Sequence, residues 1–167
     1  MLVFNGRTHA AVGITIGLLL IEKLKIPTDT TVLIYLIGLY IGTLLPDADH
    51  KHAPMGKVIP LWLFLKHRTL THSIFMFLLP IFLIKLLANH IPIIYLFSQG
   101  MFLGIACHIA MDLLNPTGCP LLYPLMKKKF NILRIKTGSV LDDAIFLTSM
   151  ICLIYIMYQN FLIGRVV

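Results

Sequence analysis

Apolar residues in this chain run together instead of alternating with polar ones, in five segments at about 8–24, 31–46, 69–88, 92–114 and 142–163. Such runs predict helices, several of them near the lower limit of the roughly 17–25 residues that cross the hydrocarbon core of a bilayer. Pro27, Pro46, Pro92 and Pro116 fall between the runs or at their ends, as suits a residue that breaks helices. Pro80 lies inside the third run and predicts a kink there, which neighbouring helices tolerate. The expectation is an all-α integral membrane bundle of about five transmembrane helices. Residues 1–167 read as a single domain, since no repeat, low-complexity tract or long linker divides them.

Composition agrees with that pattern. Of the 167 residues 58% are apolar and only 13% charged, and mean hydropathy is +0.89; soluble domains are less apolar and about twice as charged. A net charge of +7 would suggest nucleic acid in a soluble protein. Here the basic residues sit in short connections between apolar runs, so they set orientation and meet anionic head groups, and no nucleic-acid partner is expected. Cys107, Cys119 and Cys152 are odd in number and lack paired spacing, which argues against both a disulfide framework and a thiolate metal site. Arg7 followed by apolar residues 10–21 looks like a signal peptide, but no small-x-small site follows and Glu22 and Lys23 end the run; the segment is expected to be retained.

Lysine and arginine set the topology. Arg7, Lys51, Lys57, Lys66, Arg68, Lys127, Lys128, Lys129, Arg134 and Lys136 fall on one side of the spans, and only Lys23, Lys25, Lys85 and Arg165 on the other. The richer side is the cytoplasmic one, which places the N-terminus inside an inner membrane and the C-terminus outside.

The same side collects the unusual residues. His9 opens the first span, and Asp47, Asp49 and His50 close the second. His67 and His72 precede the third, His108 and Asp112 end the fourth, and Asp142 opens the fifth. Gly13 and Gly17 extend from His9 at intervals of four; Gly100 and Gly104 lead likewise to His108 and Asp112, and Gly38 and Gly42 towards Pro46. Residues four apart share a helix face, and small-residue faces are where membrane helices approach. These ligands therefore point at other helices, not at lipid.

One intramembrane histidine is as readily a hydrogen-bonded structural residue as a ligand. So many converging on one depth, with Asp47, Asp49, Asp112 and Asp142 repelling one another unless a cation neutralises them, point to a metal centre. Imidazole with carboxylate and no thiolate suits zinc foremost, with manganese or iron as alternatives. The donors outnumber the four ligands of a tetrahedral zinc, which favours two or more ions. Asp49 or Asp142 is then a candidate general base, and Arg68 can clamp a phosphate or simply anchor the cytoplasmic side.

At these residues the sequence resembles the membrane-bound metal-dependent hydrolases first noted as LexA-regulated inner-membrane proteins. The likeness rests on THAAVG at 8–13, LLPDADH at 44–50, HRTLTHS at 67–73 and GIACHIAMDLLNPTGCPLLYP at 104–124. TGSVLDDA at 137–144 matches a later element, with Asp142 where Glu is usual. A weaker similarity is to zinc-dependent phospholipase C and single-strand nucleases, all-helical proteins with a His-x-x-x-Asp pair like His108 and Asp112. The resemblance implies hydrolase activity dependent on divalent metal. Grouped ions at a lipid–water boundary suit phosphoester cleavage, so an anionic phospholipid or lipid-linked phosphate is the expected substrate and partner. The alternative is a divalent-metal-binding or transporting membrane protein without hydrolase activity, which should carry its ionisable residues near mid-membrane. Whether the chain forms homo-oligomers is open.

Overall fold

The computed structural model of the chain describes residues 6–163 apart from 22, 27, 28, 30 and 89. The helix-ending roles of Glu22 and Pro27 and the orientation role of Arg165 lie outside the described residues. Among those described, six helices follow in order: α1 (Gly6–Leu20), α2 (Val32–Leu44), α3 (Pro54–Val58), α4 (Leu78–Leu87), α5 (Ile93–Leu113) and α6 (Val140–Ile163). The fold is all-α; an antiparallel bridge joins Cys119 to Phe130.

Glycines decide how closely the central pair approaches. A Cβ added at Gly38 or Gly42 of α2 would land on the backbone of Phe97 or Met101 in α5, and one at Gly100 or Gly104 on the backbone of Tyr35 or Leu39 in α2. Small-residue faces thus place α2 and α5 backbone to backbone, as the four-residue spacing predicts. Gly13 and Gly17 do the same for α1, where a Cβ would meet the side chains of Thr43 and Leu39. Helix α1 packs on α2, α5 and α6, and α4 packs on α5. Tyr35 and Leu39 are fully buried within the α1–α2–α5 contact. Helix α6 leaves Leu147, Ile151, Ile154 and Tyr158 exposed, an apolar outer surface suited to lipid contact.

Among the described residues, three of the five expected spans are long and apolar enough to cross a membrane: Val32–Asp49, Ile93–Leu113 and Val140–Gln159. The described part of helix α1 has 15 residues, about 22 Å at 1.5 Å per residue against a core of roughly 30 Å. The third apolar run keeps only 10 residues for α4, because 3-10 turns at Leu70–His72 and Ile74–Phe77 occupy its first part. Nor does Pro80 kink a helix. It is the third residue of α4, in the first turn, where its missing N–H has no partner to lose.

Candidate metal centre

Each donor reaches the end of the bundle through a local feature of its own element. His9 lies in the opening turn of α1, and His108 and Asp112 share one face in the last turns of α5. Pro46 cannot continue α2, so Leu45–Asp49 tightens into a 3-10 turn. At three residues per turn, Asp47 and Asp49 point about 120° apart, and they serve different neighbours. Arg68 adopts φ 57, a left-handed conformation uncommon outside glycine and typical of functional sites. On either side of it, His67 meets Asp49 and His72 meets Asp47 and Asp112.

Five donors meet. His9 Nε2 lies 3.7 Å from Asp112 Oδ1, and His72 Nε2 lies 3.2 Å from Asp112 Oδ2. His108 Nε2 is 3.8 Å from Asp112 Oδ2 and 3.8 Å from Asp47 Oδ1, with His72 Nε2 3.6 Å from the same Asp47 oxygen. Four of these separations are too long for hydrogen bonds. They suit co-ligands, since two atoms each about 2.1 Å from a tetrahedral zinc stand roughly 3.4 Å apart. The rings of His9 and His108 stack at 4.1 Å with 13° between their planes. Two buried groups, His9–His108–Asp112 and Asp47–His72–His108, can hold metal ions. They share His108, whose single Nε2 lone pair serves one ion at a time.

The outer nitrogens settle which atoms face inwards. His108 Nδ1 donates to the carbonyl of Thr43 at 2.7 Å, and a carbonyl only accepts, so the lone pair is on Nε2. Thr71 donates to Asp49 Oδ2 and accepts from His72 Nδ1 at 2.9 Å, again leaving Nε2 for the centre. This carboxylate–hydroxyl–imidazole relay is the kind of outer support that orients metal ligands. His72 Nε2 and Asp112 Oδ2, 3.2 Å apart, and His108 Nε2 are buried without a well-aligned hydrogen bond inside the protein. Buried polar atoms left so are rare and costly, and a cation among them accounts for three at once. The donor set therefore fits divalent metal. Burial by itself would depress the His72 imidazole, but the surrounding Asp112, Asp47 and Asp49 carboxylates outweigh it and raise its pKa to about 10.

Five expected site residues stand outside that inner set. Asp49, expected as ligand or base, has both oxygens occupied: Oδ1 by His67 Nδ1 at 2.7 Å, Oδ2 by the Arg68 N–H at 2.9 Å and the Thr71 hydroxyl. It orients its neighbours. Asp142 is fully buried but accepts from Thr8 Oγ1 at 2.9 Å and from the Gly138 N–H at 2.8 Å, which ties α6 to α1. His50 is exposed, its ring centroid 4.9 Å from that of His67. His67 is partly buried at the edge, and its Nε2 has no hydrogen-bond partner. Arg68 is not at the surface. It is 2% exposed, with Nη2 2.5 Å from Asp112 Oδ1 and Nη1 on Thr117 Oγ1 and the Gly118 carbonyl.

The 115–136 connection is hydrogen-bonded to the site and to the helices beside it. Asn115 Nδ2 donates to Asp112 Oδ1 at 2.8 Å, the Ile132 N–H to the Leu113 carbonyl at 2.7 Å, and the Ile74 N–H to the Leu121 carbonyl at 2.9 Å. Thr8, Thr43, Asn115 and Thr117 support the site without standing out in the sequence. Asn115 was reachable, three residues after Asp112, but Thr43 acts through its backbone, which no residue type announces.

An all-α membrane protein with a buried His/Asp cluster able to hold metal is the class that this fold and site define. The chain belongs to the YdjM inner membrane protein family, which matches residues 4–166. "Uncharacterized protein YvsG" of Bacillus subtilis (strain 168) is 29% identical over 126 residues, covering 72% of this chain and 76% of that protein. "Inner membrane protein YdjM" of Escherichia coli (strain K12) is 39% identical over 89 residues, 48% of this chain and 44% of that protein. The alignment thus spans less than half of the E. coli relative. No solved structure matches.

Proposed function

We propose that this chain is a membrane-embedded, metal-dependent hydrolase that cleaves a phosphoester bond of a phospholipid or lipid-linked phosphate. One observation carries the proposal: imidazole and carboxylate atoms from four separate segments face one another at co-ligand spacing, buried at one end of the bundle. His9, Asp47, His72, His108 and Asp112 would hold the ions, two or more in number and zinc foremost, with manganese or iron also fitting the donors. When bound, such ions supply a water nucleophile at neutral pH and neutralise charge on phosphoryl oxygens.

The protein's own groups do the rest. Arg68 and Asn115 hold Asp112 Oδ1 in place, and Thr43 and Thr71 fix the imidazole rings. With Asp49 and Asp142 occupied by hydrogen bonds, the proton acceptor in this proposal is His67. Its Nδ1 is held by Asp49, its Nε2 carries the lone pair and is buried without a hydrogen-bond partner, and its ring centroid lies 5.7 Å from that of His72. The site lies at the cytoplasmic end, where a lipid of the inner leaflet reaches it.

The test is to purify the protein in detergent, measure bound metal, and follow phosphate or head-group release from a mixed lipid extract. The expected result is stoichiometric metal with turnover that His72→Ala abolishes together with the metal. His67→Ala should keep the metal and lose turnover. Full metal occupancy with no release from any lipid would instead favour metal storage or transport.

A further inference from the structure

Beside the cluster, an apolar cleft of about 290 Å³ lies over the Leu45–Asp49 turn, with Leu45, Leu61, Leu65, Phe75 and Met76 in its walls. Its polar lining residue is Thr71, the side chain that donates to Asp49 and accepts from His72. The cleft and the candidate metal centre therefore share a wall. Its rim residues Ile59, Leu70 and Leu79 are 40%, 37% and 41% exposed. Lys57 and Lys66, exposed, flank in sequence the 59–65 segment that forms one side.

We propose that this cleft holds one alkyl chain of the lipid substrate, with the head-group end at Thr71. The occupant follows from chemistry on three sides. Apolar walls exclude a sugar or nucleotide, and Thr71 at the cleft is itself hydrogen-bonded to Asp49 and His72 of the buried His/Asp cluster. The exposed Lys57 and Lys66 on either side of the 59–65 segment suit an anionic amphiphile. The volume is at the low end of the roughly 300–1,000 Å³ of small-molecule clefts, so it takes the upper part of one chain, and the remainder lies along the rim into the bilayer. The head-group half of the proposal rests on the phosphoesterase reading; the chain half does not.

The test uses the full chain in phosphatidylcholine nanodiscs, titrated with inorganic phosphate, with ethyl, butyl, hexyl and octyl phosphate, and with octanol. Trp62, the single tryptophan, lies between the lining residues Leu61 and Leu65, and its fluorescence reports filling beside calorimetry. Affinity for alkyl phosphates should rise about fourfold per methylene until the cleft is full. Ile59→Trp and Leu79→Trp, on two different segments, should each flatten that dependence and leave inorganic phosphate binding unchanged. A slope identical in wild type and both variants would mean bulk partitioning and overturn the proposal. Phosphate binding with no chain-length dependence would also overturn it, while sparing the phosphoesterase reading. Octanol that binds as well as octyl phosphate, with the same sensitivity to both variants, would confirm the cleft and count against that reading.

Discussion

His108 Nδ1 donates to the backbone carbonyl of Thr43 at 2.7 Å, a bond that joins the last turns of α5 to the end of α2. It forms because Gly42 and Gly104 let the two backbones touch. Gly104→Val would press a branched side chain on the Leu39 carbonyl and Gly42. The expected cost is about 1–3 kcal/mol of overpacking, together with loss of bound metal as His108 turns away. Thermal unfolding and metal analysis on the same sample check both.

Thr71→Val keeps the shape of the side chain but removes the hydroxyl between Asp49 and His72. Loss of such outer support typically weakens metal affinity 10–100-fold. Competition with a calibrated zinc chelator measures it. His50→Ala, at an exposed residue, should leave that affinity where it was.

Metal uptake should release protons. The pKa of His72 is raised from 6.5 to about 10, so at neutral pH its ring is charged and must lose a proton before Nε2 can coordinate. Affinity should therefore climb from pH 6 to 9, and calorimetry in buffers of different ionisation enthalpy should show at least one proton leaving near pH 7. In chelator-treated protein the sign is opposite. A raised pKa stabilises fully below 6.5, and that contribution fades as pH rises towards 10.

Asp142 ties helices without joining the inner donors. Thr8→Val removes one of its partners and should destabilise the fold by about 1–3 kcal/mol, loosening α6 from α1 while stoichiometric metal remains. A loss of metal equal to that of His108→Ala would return Asp142 to the ligand set.

Orientation is testable by labelling. With Cys152, the exposed cysteine, replaced by serine, Lys128→Cys should react with an impermeant maleimide only in inverted vesicles, and His90→Cys only in intact cells. Reaction of both from one side would refute the arrangement.

Much of the site was legible because helical spacing is local. His108 and Asp112 four residues apart, and the glycines that lead to them, specify a shared face whatever the rest of the chain does. Residues in the turns were not legible in the same way. Asp47 and Asp49 look equivalent in PDADH, and only the 3-10 turn sends one to the centre and the other to His67. Arg68 reads as a phosphate clamp or a surface anchor until its left-handed backbone turns it inwards on Asp112. The third apolar run reads as a span because its composition is apolar throughout, yet half of it is turns.

The sequence by itself determined that this chain is helical and membrane-bound and that acids and imidazoles crowd one end, because apolar run length and four-residue spacing are properties of a single segment. Tertiary structure alone decided which donors face each other, which are taken up by hydrogen bonds, and that an apolar cleft opens beside them. Those outcomes depend on distances between segments far apart in the chain, set by how closely glycine faces pack and where the turns aim their side chains.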